Sequence, residues 1–99
     1  MLEDEYPALW QFLGGYLHQD WDLDYGTTSD ALHDFMEGSD ELATQLPLEM
    51  EQVLTTKTDD EVLERFLVEL GSCYVPSRAG KNPRTWLRDL QDEARLLTQ

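Results

Sequence analysis

The stretch HQDWDLDYG, His18 to Gly26, sets three carboxylates close together: Asp20, Asp22 and Asp24 alternate with Trp21 and Leu23. Asp-x-Asp-x-Asp is how a calcium loop begins. A complete EF-hand loop carries acids at positions 1, 3 and 5, a glycine at 6 for the sharp turn and a bidentate glutamate at 12. Counted from Asp20, the sixth position is Tyr25, the glycine comes one residue late as Gly26, and the twelfth is Ala31. Both features that close such a loop around a cation are missing, which argues against specific calcium binding. His18 and His33 are the only histidines and Cys73 the only thiol, and no pair has the spacing of a zinc site. Paired carboxylates can serve as general acid and base. Here no Ser/His/Asp order, glycine-rich phosphate loop or nucleotide fingerprint accompanies them. The chain is expected to be no enzyme and to hold no cofactor or metal. Its acids are left as a solvated surface or a surface for a partner.

Charge distribution favours a partner. The net charge is −14 over 99 residues. Residues 1–56 contain thirteen Asp or Glu and no Lys or Arg, whereas residues 57–99 contain eight acids and seven bases. Such a polyanionic half is repelled by nucleic acid and by anionic membranes, so neither is an expected partner. It attracts a basic protein and raises the rate of encounter with it. No apolar run approaches the roughly 18 residues of a membrane span. MLEDEYPAL is acidic where a signal peptide is basic, so a cytoplasmic location is expected. The lone Cys73 excludes an internal disulfide and is expected to be a buried, inert thiol.

The elements that must position these acids read as helices throughout. Leu9, Phe12, Leu13, Tyr16 and Leu17 share one face of a helix from about Pro7 to His18. Gly14 and Gly15 inside it cost about 1 kcal/mol each, which predicts close packing of another element there or a weakened last turn. After the acidic turn, Ala31, Leu32, Phe35 and Met36 mark a second helix, with Thr28 or Ser29 as N-cap and Gly38 as terminator. Ser39 caps a third, whose stripe is Leu42, Leu46, Met50, Val53 and Leu54 and which Pro47 should kink or split. Thr58 and Glu61 have capping-box spacing before a helix burying Val62, Leu63, Phe66, Leu67 and Leu70 and ending at Gly71. CYVP reads as a buried extended segment and SRAGKN as a loop. Asn82-Pro83 then starts a last helix that buries Trp86, Leu87, Leu90, Ala94 and Leu97. The expected fold is all-α, a compact bundle of about five helices with short loops. It forms one domain over residues 1–99, with frayed ends at 1–5 and 98–99. Trp21 and Tyr25 are expected to anchor the acidic turn in the core.

The combination of YPALWQFLGGYLHQDWDLDYGTTSDAL, VELGSCYVP and a later Gly followed by TWLRDL resembles the helical immunity proteins of contact-dependent growth inhibition systems, the CdiI type. The matching positions are Phe12, Gly14, Gly15, Tyr16, Gln19, Asp20, Trp21, Asp22, Tyr25 and Gly26, then Pro76, Gly80, Trp86 and Leu87. The resemblance runs from about Tyr6 to Leu90, and the first motif is the specific one. It implies an antitoxin that binds the C-terminal toxin domain of a cognate CdiA-type effector one to one and blocks it. Such toxins are often nucleases, whose substrate groove is cationic, and an inhibitor half free of bases suits that groove. The residues expected to pair with the toxin's Lys and Arg are Asp20, Asp22, Asp24, Asp30, Asp34, Glu37, Asp40 and Glu41. Two other readings stay open: an acidic adaptor or nucleic-acid mimic for some other basic protein, and a small metal-binding protein.

Overall fold

A computed structural model describes residues 2–98. The fold is all-α, and no strand occurs among the described residues. A short helix α1 (Leu2–Glu5) leads into α2 (Pro7–Gln11), which continues without a break into a π-helical turn, Phe12–Tyr16. After that come α3 (Trp21–Asp24), α4 (Thr28–Gly38), α5 (Asp40–Thr56) and α6 (Asp60–Glu69). A 3₁₀ turn, Pro76–Ala79, precedes the last helix, α7 (Pro83–Leu97). The expected bundle of about five helices is present as segments 7–16, 28–38, 40–56, 60–69 and 83–97.

Each long helix begins on a residue whose side chain can accept a backbone N–H. Thr27, not Thr28 or Ser29, caps α4 by accepting from Asp30 N–H. Ser39 caps α5 as expected. Asp59 caps α6 by accepting from Glu61 and Val62, so Thr58 is not the cap. Asn82 caps α7, with Pro83 in the first turn. Pro47 does not split α5, which runs unbroken from Asp40 to Thr56. Pro47 is buried, and its carbonyl accepts from Gln91 Nε2 of α7 at 3.0 Å. Packing along the whole helix outweighs the roughly 3 kcal/mol that an interior proline costs.

Helices α5 and α7 run antiparallel through the centre. Arg84 near the start of α7 reaches the carbonyls of Leu54 and Lys57 at the end of α5, and Gln91 meets Pro47 and Glu51 further back. Leu46, Met50 and Val53 of α5 and Leu87 and Ala94 of α7 are wholly buried. Each such leucine contributes about 1.5–3 kcal/mol relative to an exposed one. Leu9, Phe12, Leu13 and Leu17 close the core from the first segment, and Leu63, Phe66, Leu67 and Leu70 from α6. Two expected core residues are not in it: Val62 is 43% and Leu97 45% exposed. Val62 lies just outside the α6 stripe, and Leu97 is the last residue of α7. Cys73 is exposed rather than buried, and of the segment CYVP only Pro76 is buried.

The Gly14-Gly15 pair has its reason at one position. A Cβ built on Gly71 lies 3.0 Å from Gly14 Cα, and Gly71 itself adopts φ +112°. The chain leaving α6 thus passes backbone to backbone over the π-turn, and Cys73 N–H donates to Leu17 carbonyl at 2.9 Å beside it. Nothing lies within 4 Å of a Cβ on Gly15.

Candidate functional site

The acidic stretch is a single helical turn. Leu23 N–H donates to Asp20 carbonyl and Tyr25 N–H to Trp21 carbonyl, so Asp20 and Asp24 share a side while Asp22 points elsewhere. His18 brackets the turn: its Nδ1 accepts from Asp20 N–H at 3.1 Å, and its Nε2 lies 3.5 Å from Asp24. Trp21 and Tyr25 are half-buried against the core, as their anchoring role requires. Trp21 meets Tyr74 edge to face at 5.5 Å between centroids, and Tyr74 in turn packs on Trp86 at 5.1 Å. Tyr25 stacks on Tyr16 at 6.4 Å. Its hydroxyl donates to the Asp34 carboxylate, which ties the end of α3 to the middle of α4. That hydrogen bond, helped by partial burial and by the Asp34 charge, pushes the Tyr25 phenol up to about 12.

All eight predicted partner-binding acids are exposed. Asp30, Asp34 and Glu37 recur at i, i+4 and i+7 and so share one face of α4. Asp40 and Glu41 stand on the first turn of α5, where negative charge also suits the helix dipole. The eight divide by what they touch. Asp24 and Asp34 are engaged within the protein, by His18 and Tyr25. The carboxylates of Asp20, Asp22, Asp30, Glu37, Asp40 and Glu41 make no hydrogen bond or ion pair with the described residues.

One acid was not foreseen in its role. Glu49 is 3% exposed, the only buried carboxylate among the thirteen of residues 1–56. Its oxygens accept from Ala8 N–H at 3.2 Å, Leu9 N–H at 2.9 Å and Gln45 Nε2 at 2.6 Å. It therefore caps α2 from another helix, where Tyr6 offers no side-chain cap of its own. The available signal was its position: three residues after Leu46 and four before Val53, within the apolar stripe of α5.

Bases of the second half do little to neutralise this surface. Arg84 donates from Nε to Asp60 at 2.8 Å while its other nitrogens hold the end of α5. Asn82 and then Arg84 hold the Asp60 carboxyl below its usual value. Lys57 lies over the Phe66 ring, 4.6 Å from its centroid. Among the described residues, a single Lys or Arg pairs with an acid of residues 1–56: Arg95 with Glu51, at 3.7 Å. No group of three or more His, Cys, Asp or Glu among the described residues is placed to hold a metal ion. A cleft of about 430 Å³ opens between the start of α4 and the face of α7 that runs from Thr85 to Glu93, and two pairs of its polar groups are joined to each other. There Ser29 donates to Glu93, and Trp86 Nε1 donates to Thr28.

Comparison with known proteins adds one finding. A family model described as CdiI immunity protein matches residues 5–94. No curated protein and no solved structure matches the chain.

Proposed function

The chain belongs to the CdiI immunity protein family, which neutralises CdiA toxins, and on that premise we propose how it does so. It acts in the cytoplasm by binding the C-terminal domain of a cognate CdiA-type effector one to one, without catalysis. The toxin is a nuclease, and the exposed carboxylates of residues 1–56 occupy the cationic surface on which its nucleic-acid substrate lies. One observation carries this reading: twelve of the thirteen acids in that half are exposed, with no Lys or Arg among them. A field of one sign over a large surface steers a basic partner in from a distance and is weakened by salt. The candidate contacts are Asp20, Asp22, Asp24, Asp30, Asp34, Glu37, Asp40 and Glu41.

Co-expression with the toxin domain encoded beside it tests the proposal. Cells carrying this protein should survive a toxin that kills cells without it. The purified pair should bind as a 1:1 complex whose association slows as salt rises, and nuclease activity should fall in proportion to complex formed. Failure to rescue, or rescue from a toxin with no nuclease activity, would remove the corresponding part of the reading.

A further inference from the structure

A charged rim sets the encounter, but tight complexes also need a desolvated apolar anchor near the centre. The acidic turn is poorly placed to supply one, because its exposed Leu23 stands on a four-residue helix whose Asp24 already lies against His18. The outer face of α5 differs. Leu48 is 63% exposed there. It stands seven residues after Glu41 and four after Thr44, on the same side of the helix. With Asp40, Glu41, Thr44 and Gln45 it lines a shallow, mostly apolar depression of about 610 Å³.

An exposed leucine alone is ordinary. Here it borders a concavity rimmed by two carboxylates that have no partner among the described residues. The floor is also held rigid: Gln45 donates to Glu49, and Glu49 is fixed by the α2 amides. A surface already in its bound shape loses less entropy on association. Charge complementarity names the occupant, since no Lys or Arg lies within residues 1–56 and Arg95 is turned to Glu51.

We infer that the depression formed by Leu48, Thr44 and Gln45, with Asp40 and Glu41 as its rim, is where the basic toxin domain is anchored. This rests on the function proposed above. The partner's contribution is an apolar side chain flanked by Lys or Arg. Leu23 is more exposed, at 80%, but stands on a four-residue turn whose Asp24 is tied to His18, and it serves as the control.

Surface-immobilised toxin domain and the full chain give the test. Leu48→Ser should speed dissociation about ten- to a hundredfold with association little changed. The double variant Asp40→Asn, Glu41→Gln should slow association severalfold at low salt and converge on the wild type at about 0.5 M salt. Leu23→Ser should change neither rate. Far-UV circular dichroism verifies that each variant is folded, which these exposed positions favour. Wild-type binding with Leu48→Ser and the double variant unchanged overturns the inference alone, as does a loss confined to Leu23→Ser. A wild-type chain that fails to bind the toxin domain overturns the proposed function as well.

Discussion

Glu49→Ala removes the acceptor that closes the N-terminus of α2. The amides of Ala8 and Leu9 lie in fully buried residues, so no bulk water replaces the carboxylate. Each buried donor left unpaired costs about 1–3 kcal/mol. The gross loss is therefore about 2–6 kcal/mol, offset in part because a desolvated charge disappears too. A net destabilisation of about 2–4 kcal/mol is expected, against a total of about 5–15 kcal/mol for a domain of ordinary stability. Glu49→Gln keeps one acceptor oxygen but turns an NH₂ toward a donor, so about 1–2 kcal/mol is expected. Urea unfolding followed by tryptophan fluorescence measures both, with Trp10 reporting from α2 itself. Native-state hydrogen exchange supplies the residue-level check, since the Ala8 and Leu9 amides should lose protection ahead of the α5 core. A loss below about 0.5 kcal/mol for Glu49→Ala, or unchanged exchange at those two amides, would refute the capping role.

The two glycine positions give opposite expectations. Gly71→Ala meets both a positive φ and the Gly14 backbone, and should cost about 2–4 kcal/mol in the same unfolding assay. Gly15→Ala meets nothing and should be neutral or stabilising by up to about 1 kcal/mol. For Tyr25, whose folded phenol sits at about 12 against the usual 10.0, the stabilisation is fully present below pH 10 and lost as pH rises through about 12. Asp34→Asn should bring this phenol back toward 10.0, visible as earlier tyrosinate absorbance in a spectrophotometric titration. Arg84→Lys loses the planar fork that reaches Asp60, Leu54 and Lys57 together. About 1–3 kcal/mol of lost stability is expected, and a thermal midpoint within 2 °C of wild type would contradict it.

Helix existence was legible because apolar spacing reports which side of a helix faces inward, and Leu46, Met50, Val53, Leu87 and Leu90 all lie where that spacing puts them. Cap positions slipped by one at Thr27 and rose by one at Asp59, because neighbouring Thr, Ser and Asp compete for the same N–H groups and only the backbone's turn decides between them. Pro47 misled because its local cost is visible in the chain while the packing of α5 on α7 is not. Val62 and Leu97 were placed inside by the apolar pattern of their helices and Cys73 by residue type, but exposure depends on which neighbouring element covers each position. For the candidate site, the uneven charge was plain in the amino-acid order. Its internal sorting was not. That Asp34 serves Tyr25 and that Glu49 turns inward depend on contacts between elements, whereas the grouping of Leu48 with Asp40 and Glu41 follows from spacing along α5 alone.

The outward display of twelve carboxylates around a single inward one also sets how the free protein lives with itself. Like charges held together on one compact fold repel, and an expanded chain lets them move apart. Added salt should therefore raise the thermal midpoint of the free protein and, on the proposed function, weaken its hold on a basic partner. A cationic partner does locally what dissolved ions do diffusely. On the proposed function, part of the binding free energy then comes from relief of repulsion that the free protein carries alone. The free protein is then the tense state, and the proposed complex is where its charge is at rest.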